Sequence, residues 1–352
     1  MVSKGRTHLP ERNLDILRAA AVSCVLLGHT LGAMGLPYPP WLGRAGVLAF
    51  FVHTSLVLMS SLERGGRRDH WVQAFYIRRA FRIYPLCIVA VLTVAALGIP
   101  RHLIFGEVPP PVVEATARTV IANITLTQNL IGAPDIYGVL WSLPLEVQMY
   151  VLLPLCFLIA RRSPVGVLAM VAAAVAAGAI VLVDAAPGVW RLEVLTFAPC
   201  FMGGVLAYHL LFRGVRPQVP AIAWPIAMGA VCALFGLQSV QPARAVDGWL
   251  PCLILGAILP FFRDAADSWL TRVSHTICTY SYGIYLLHLP ALWVAFWLLR
   301  GQPAVVQWVA FAVLIGALPY LGYRFIERPG ILLGHNIATR PVLAVTGEVP
   351  AP

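Results

Sequence analysis

The chain has 352 residues, of which 59% are hydrophobic and only 11% are charged, and its mean hydropathy is +0.80. An ordinary soluble domain carries about 25% charged residues, so this composition excludes a protein whose main solvent is water. A net charge of +10 would suit a nucleic-acid-binding protein. The basic residues alternate between successive loops, however, which is the pattern of a membrane protein. We therefore predict an integral membrane protein with no nucleic-acid partner.

Apolar stretches long enough to cross a bilayer recur along the chain. A hydrocarbon core about 30 Å thick needs about 17 to 25 residues of helix. The predicted spans are Leu14–Leu36, Gly43–Leu62, Ile83–Pro100, Leu143–Ala160, Val165–Val183, Val194–Phe212, Ala221–Leu237, Val246–Phe262, Tyr280–Leu299 and Ala304–Tyr323. The fold class is thus an all-α, polytopic transmembrane bundle of about ten helices. Some residues inside these spans mark kinks or close helix contacts rather than loops: Pro154, Pro199, Gly203, Gly204, Pro225 and Pro319.

The distribution of Lys and Arg predicts the orientation of the bundle. Of the 25 basic residues, 19 lie on the side that carries both termini. The other side has only Arg44, Arg101, Arg118, Arg191, Arg244 and Arg300. By the positive-inside rule both termini are cytoplasmic, and the protein is a multi-pass component of the cytoplasmic membrane. The segment Val112–Leu130 is long enough to cross, but crossing would invert this bias in every later loop, so we predict an outer-surface helix.

No second domain is indicated. We expect one transmembrane domain over residues 1–335 and a short cytoplasmic tail over residues 336–352, which has little apolar surface to bury and is predicted to be disordered. The first apolar segment lacks a cleavage site and is expected to belong to the bundle. The seven cysteines are scattered singly without a CxxC motif, so neither a disulfide framework nor a metal site is expected.

Ionisable residues inside the predicted spans are the first candidates for function. An Arg at a helix centre costs about 2.5–3.5 kcal/mol on insertion scales. Arg18 and His29 are three helical turns apart, so they share one face and lie about 16 Å apart along the helix. His53, His288 and Glu146 fall inside other spans. Arg18 alone would be explained by snorkelling to the surface and His29 by a bond to a neighbouring helix, but several such groups favour a shared polar cavity.

The predicted cytoplasmic loop at residues 64–82 contains six arginines. Such a loop serves as an orientation signal and binds lipid headgroups. Arg79 and Arg82, one helical turn apart, would also form a face that binds phosphates in bidentate fashion. The loop is therefore a candidate phosphate site as well as a topological signal.

A candidate acidic group lies on the predicted outer side. The sequence around Trp141 predicts a helix that starts with Ser142 as its N-cap. Glu146 then lies at the external end of its span, with Tyr150 one turn below on the same face. Since His29 lies in the outer half of the first span, we predict that an acidic group and an imidazole meet near one depth.

In this order the residues resemble the acyltransferase-3 family of integral membrane O-acyltransferases, from the first predicted span to the last. The matching motifs are LDILRAAA at 14–21 followed by His29, FFV at 50–52, FYIRRAFRIYP at 75–85, WSL at 141–143 followed by Glu146 and Tyr150, SYGIYLLH at 281–288, and RFIERP at 324–329. One departure follows FFV. The family usually has a Ser-Gly pair there, whereas this chain has a bulkier, titratable His53.

The resemblance implies transfer of an acyl group, usually acetyl, from a cytoplasmic thioester to a hydroxyl of an extracytoplasmic acceptor, commonly a carbohydrate. Acetyl-CoA or another acyl-CoA would be the donor co-substrate, with no permanently bound cofactor. Its phosphates would rest on Arg79 and Arg82, with Arg18 able to join them. His29 and Glu146 would be catalytic, with His29 either the general base or the acyl carrier. The substrate-site candidates are His53, Tyr150, Trp141 and His288.

Other classes of function stay open on the sequence. A transporter or flippase also uses buried Arg, His and Glu with broken helices, and would move an unmodified solute without any acyl thioester. Haem binding by His29, His53 and His288 lacks the paired, same-face histidines expected within one helix. Candidate acceptors include an exopolysaccharide, a lipid-linked glycan, a peptidoglycan sugar and a secondary metabolite.

Overall fold

Each of the ten predicted spans overlaps a helix. The computed structural model describes residues 9–65, 70–101, 112–183, 189–239 and 245–339, where the only strand-like pairing is an isolated bridge between Val219 and Phe262. The helices are α1 (Glu11–Ala33), α2 (Leu42–Gly65), α3 (Trp71–Leu97), α4 (Ala117–Ile124), α5 (Gln128–Ile131), α6 (Ser142–Arg162), α7 (Pro164–Val183), α8 (Glu193–Phe212), α9 (Ala223–Gln238), α10 (Trp249–Ile258), α11 (Trp269–Leu292), α12 (Ala304–Gly322) and α13 (Arg328–Thr339). The prediction of an all-α helix bundle is confirmed.

Not all of these helices are long enough to cross a membrane. Within the described ranges eight are long and apolar enough, counting α12 and α13 as one continuous helix. The 16 residues of α9 extend only about 24 Å, less than a hydrocarbon core of about 30 Å, and α10 is shorter still. The predicted surface segment Val112–Leu130 contains α4 and most of α5, and both helices are too short to cross.

The helix α3 begins at Trp71 rather than at the predicted Ile83, so Arg79 and Arg82 lie in a helix and not in a loop. The prediction of a loop over 64–82 is wrong here because hydropathy falls where the arginines begin, whereas Arg is a good helix former. The helix α11 likewise begins before its predicted start. Part of the arginine-rich segment, residues 66–69, lies outside the described residues.

The last helix reaches further along the chain than the predicted domain boundary. Helix α13 ends at Thr339, so the first four residues of the predicted tail are helical. Residues 340–352 lie outside the described residues. The boundary at 335 therefore falls inside a helix.

Prolines inside two helices precede local widenings of the helical turn. Pro290 in α11 is followed by a π-helical segment at Trp293–Leu298, and Pro319 in α12 by another at Tyr323–Glu327. A proline lacks an N–H and removes one i to i−4 hydrogen bond, which shifts the bonding pattern nearby. Also within helices are Pro154 and Pro199. These residues interrupt helices without ending them, as predicted.

Glycines allow α2, α8 and α10 to approach one another closely. A Cβ atom on Gly204 would lie 2.0 Å from the Ser55 hydroxyl oxygen, and one on Gly256 would lie 1.9 Å from the Gly203 carbonyl oxygen. The Ser55 hydroxyl also donates across the interface to the Phe201 carbonyl oxygen at 2.8 Å. Between helices in lipid, close packing and such bonds replace the hydrophobic driving force. The predicted close contacts at Gly203 and Gly204 are confirmed.

Gly204→Val is expected to destabilise the bundle by about 1–3 kcal/mol, since the added side chain would overlap Ser55 and the α2 backbone. The measurement is the thermal unfolding midpoint in detergent. Gly229→Ala in α9 is the matched control, because no atom of the described residues lies within 4 Å of an added Cβ there, and alanine favours a helix over glycine by about 1 kcal/mol. Equal midpoints for Gly204→Val and the unmodified protein would contradict tight packing of α2 on α8.

Asn13, which is completely buried, fixes the start of α1. Its side chain donates to the Arg263 carbonyl oxygen at 2.9 Å and accepts from the Ala265 backbone N–H at 3.1 Å. Its backbone N–H donates to the Asp264 carboxylate, and its backbone carbonyl oxygen accepts from the Trp224 indole N–H. These bonds hold α1 in a fixed position, and we call this side of the bundle the Asn13 end. The side where α6 begins is the Ser142 end.

Candidate active site

Six of the predicted site residues line one cavity of about 100 Å³. They are Arg18, His53, Arg79, Arg82, Glu146 and Tyr150. Helices α1, α2, α3, α6 and α11 each contribute to its wall. The shared polar cavity predicted from the buried titratable residues is therefore present.

Arg18 points into this cavity rather than toward a membrane surface. Its Nε donates to the Ser281 hydroxyl oxygen at 2.7 Å, and its guanidinium carbon lies 5.9 Å from the centre of the Phe50 ring. These contacts come from α11 and α2, so they fix the side chain between neighbouring helices. The snorkelling alternative does not describe the observed position.

Arg82 forms an ion pair with a buried residue that was not among the predicted site residues. Its terminal nitrogen lies 2.6 Å from Glu327 Oε2, and the Glu327 side chain is completely buried. The guanidinium also lies over the Tyr282 ring, 5.8 Å from its centre. Glu327 belongs to the RFIERP motif at 324–329, in which no site residue was predicted. The sequence signal for this ion pair was a carboxylate shortly after the last predicted span, because a carboxylate buried there needs a cationic partner.

Arg79 differs from the other two arginines. Its Nε is buried and has no hydrogen-bond partner within the part of the chain that the structure describes. Buried donors without partners are rare in proteins, and a guanidinium is suited to bidentate binding of an anion. Three guanidinium groups thus face a cavity that Glu146 also lines, and Glu327 pairs with one of the three, Arg82, which leaves an excess of positive charge that favours an anionic ligand.

Glu146 is held on the wall of the same cavity. The Tyr150 hydroxyl, one turn along α6, donates a hydrogen bond to Glu146 Oε1. The Thr54 side chain also hydrogen-bonds this carboxylate, and the charges of Arg18 and Arg79 act on it. The predicted placement of Tyr150 one turn below Glu146 is confirmed.

Ser142 has a different role from the predicted N-cap. It is the first residue of α6, and no side-chain cap bond is made at this helix start. Its hydroxyl instead bonds the Tyr285 hydroxyl at 2.6 Å, and Tyr285 donates to the Val139 carbonyl oxygen at 2.7 Å. The N-cap prediction is wrong because a tertiary partner on α11 takes up the serine hydroxyl.

His29 is not among the residues that line the cavity. Its Nδ1 lies 2.7 Å from His288 Nε2, and the two ring planes differ by only 9°. The Tyr285 ring lies beside His288, with centroids 6.4 Å apart, and also forms part of the cavity wall. Tyr285 therefore borders both the arginine-lined cavity and the histidine pair.

Glu146 and His29 do not meet at one depth. Ser142 bonds Tyr285, and Glu146 is one turn from Ser142 toward the Asn13 end. His288 is almost one turn from Tyr285 in the opposite direction. Along the bundle axis, Glu146 therefore lies on the Asn13 side of the Ser142–Tyr285 bond and His288 on the other side. The sequence alone could not show this, because it depends on the relative positions of α6 and α11.

Trp141 lies at the Ser142 end, outside the cavity. Its ring packs against Phe197, with centroids 5.4 Å apart. The Arg44 guanidinium carbon lies over the same Phe197 ring, 5.6 Å from its centre. The Arg44 and Trp141 side chains therefore share one aromatic support on α8. Among the predicted site residues, Trp141 joins neither the cavity nor the histidine pair.

Comparison with known proteins identifies the family. The profile of the acyltransferase domain matches residues 11–324. Nodulation protein 10 of Rhizobium leguminosarum bv. viciae is 26% identical over an alignment that covers 93% of this chain and 95% of that protein. Peptidoglycan O-acetyltransferase OatA of Listeria monocytogenes is 25% identical over 92% of this chain but only 56% of its own length. No solved structure matches. The chain therefore belongs to the acyltransferase-3 family and is a multi-pass integral membrane acyltransferase.

Proposed function

We propose that the protein transfers an acyl group, usually acetyl, from cytoplasmic acyl-CoA to a hydroxyl of an extracytoplasmic carbohydrate. The observation that carries this proposal is the pair of adjoining sites inside the bundle. One is the arginine-lined cavity, and the other is the pair His29 and His288 beside Tyr285. The name of the Listeria relative, a peptidoglycan O-acetyltransferase, supports a glycan acceptor.

The arginine-lined cavity is the proposed donor site. Guanidinium groups bind phosphates bidentately, and Arg79 has a buried donor without a protein partner. The pantetheine arm would enter this cavity of about 100 Å³ and bring the thioester to its inner end, where Tyr285 borders both the cavity and the histidine pair. The phosphates of coenzyme A would thus bind at the mouth beside Arg79 and Arg82, with Arg18 further in. The positive-inside rule supports a cytoplasmic Asn13 end.

His29 is the proposed general base. An acceptor hydroxyl oxygen bonds to the thioester carbonyl carbon, and the carbon–sulfur bond breaks with its electron pair on sulfur. The hydroxyl proton passes to His29 and then to sulfur, so free coenzyme A thiol leaves. Imidazole suits this role because it titrates near neutral pH. In the alternative, His29 carries the acyl group covalently between the same donor and acceptor.

Glu146 is proposed to act on the donor side. It lies in the cavity with Arg18 and Arg79, whose positive charges it offsets when no donor is bound. Its bond from Tyr150 keeps the carboxylate on the cavity wall. Glu146 therefore positions the guanidinium groups that meet the donor and does not contact the base directly.

The test is acyl transfer by the purified protein in liposomes. Acetyl-CoA with a labelled acetyl group is added on the side of the Asn13 end, and peptidoglycan fragments or exopolysaccharide oligosaccharides on the other. We expect protein-dependent appearance of acetyl esters, identified by mass spectrometry, with release of one free thiol per ester. Movement of an unmodified glycan with the thioester left intact would support a flippase and overturn the proposal.

His53 is expected to limit the length of the acyl group. The side chain is almost fully buried, lines the cavity, and has an Nδ1 without a hydrogen-bond partner in the described part of the chain. His53→Ala would enlarge the cavity, so we expect kcat/KM for butyryl-CoA to rise several-fold relative to acetyl-CoA. The measurement is the ratio of the two rates in one competition assay. An unchanged ratio would place the acyl group away from His53.

A further inference from the structure

The histidine pair contains a hydrogen-bond chain that fixes where its protons are. His288 Nδ1 lies 3.0 Å from the carbonyl oxygen of Ile284, one turn earlier in α11. A carbonyl oxygen can only accept, so Nδ1 of His288 must carry a hydrogen. In a neutral imidazole the other nitrogen then has a lone pair and accepts. His288 Nε2 is therefore an acceptor, and it faces His29.

The geometry between the two rings completes this assignment. His29 Nδ1 is 2.7 Å from His288 Nε2. The planes are nearly parallel and the centroids 5.0 Å apart, so the rings meet edge to edge, with the N–H of one directed at the lone pair of the other. With Nδ1–H of His29 directed at it, His288 Nε2 has no room for a hydrogen of its own. Protonation there would also leave a charge on a completely buried side chain.

We propose that His288 is a positioning residue that holds His29 as its Nδ1–H tautomer, so that Nε2 of His29 is the reactive atom. This inference rests on the proposed function, in which His29 acts on the acceptor hydroxyl. His29 Nε2 accepts the hydroxyl proton, and the resulting imidazolium keeps its Nδ1–H bond to His288. The same tautomer would direct covalent acyl transfer to Nε2 as well.

Neighbouring residues keep His288 in this orientation. Tyr285 packs beside its ring, and the Tyr285 hydroxyl is itself fixed by Ser142 and by the Val139 carbonyl oxygen. The cavity wall and the histidine pair therefore share one rigid element. A change at His288 should alter the tautomer of His29 while Ser142 and the Val139 carbonyl oxygen keep Tyr285 on the cavity wall.

Two substitutions separate the positioning role from packing. His288→Gln keeps an oxygen that can accept from His29 Nδ1–H, whereas His288→Leu fills similar space without an acceptor. We expect His288→Gln to retain at least a tenth of the acyl-transfer rate and His288→Leu to lose about 100-fold. His209→Leu is the control, because His209 is a buried histidine on α8 whose Nδ1 faces the Ala160 carbonyl oxygen at 2.7 Å, away from the site. Equal losses for the Gln and Leu variants of His288 would overturn the proposal.

The tautomer is read directly by nitrogen-15 NMR of histidine-labelled protein in nanodiscs, with the His29 signals assigned by their loss in His29→Gln. We expect a protonated Nδ1 and an unprotonated Nε2 at His29 in the unmodified protein and in His288→Gln, and a mixture of tautomers in His288→Leu. A protonated Nε2 in the unmodified protein would overturn the inference. This readout needs no turnover, so failure of acyl transfer from coenzyme A would reject the proposed function while the tautomer is still decided.

Discussion

His29→Ala is expected to reduce acyl transfer by at least about 100-fold and to leave the protein folded in the membrane. A positioned general base contributes about 10²- to 10⁴-fold to a rate, and alanine removes the only proposed proton acceptor of the acceptor hydroxyl. His29 is half-buried and does not line the arginine-lined cavity, so donor binding should persist. The measurement is initial-rate ester formation in liposomes, with coenzyme A binding measured separately by calorimetry.

The structural effect of this change needs its own control. Removing the His29 ring leaves Nε2 of His288 without its donor, which is a loss of one buried hydrogen bond of about 1–3 kcal/mol. His209→Ala removes a comparable bond elsewhere, to the Ala160 carbonyl oxygen. We expect similar thermal midpoints for the two variants and full activity only in His209→Ala. Near-normal transfer by His29→Ala would remove His29 from the mechanism.

The helices were largely predictable because a bilayer requires long apolar segments, and hydropathy reports this requirement directly. The ends of the helices were less predictable. Helix α3 begins at Trp71 because backbone hydrogen bonding continues through polar residues such as Arg79, which hydropathy treats as a boundary. The same reasoning applies to α11, which begins at Trp269.

The partners of the buried groups were not predictable from one sequence. Helical periodicity predicted that Arg18 and His29 share one face, and both side chains do point toward α11. Arg18 hydrogen-bonds Ser281 there, and His29 hydrogen-bonds His288. The choice of α11 as the neighbour depends on packing between segments far apart in the chain. For the same reason the pairing of Arg82 with a carboxylate in the last helices could not be found from local spacing.

The pairing of Arg82 with Glu327 makes the two arginines of the predicted phosphate face respond differently to substitution. Arg82→Ala leaves a completely buried carboxylate without its partner, which typically costs 3–5 kcal/mol. The activity lost in Arg82→Ala would then reflect both weaker donor binding and partial unfolding. Arg82→Ala combined with Glu327→Ala removes both charges and should recover most of the lost thermal stability without restoring donor binding.

Arg79→Ala should therefore give the clearest effect on the donor. Because its guanidinium has a buried Nε without a partner in the described part of the chain, the substitution should leave stability almost unchanged. A lost hydrogen bond to a charged group is worth about 1.5–3 kcal/mol, so the KM for acyl-CoA should rise about tenfold or more with a smaller change in kcat. The measurement is the initial rate over a range of acyl-CoA concentrations.

Arg78→Ala is the matched control for Arg79→Ala, since it removes the same charge from the neighbouring position of α3 but from a residue outside the cavity lining. Surface attraction of an anionic donor would weaken equally in both variants and would vanish at high salt, because exposed charges are screened beyond about 10 Å at 0.1 M. A bound phosphate would instead distinguish Arg79 from Arg78 at every salt concentration. Equal KM values for the two variants would refute the phosphate role of the cavity arginines, even if both enzymes stayed active.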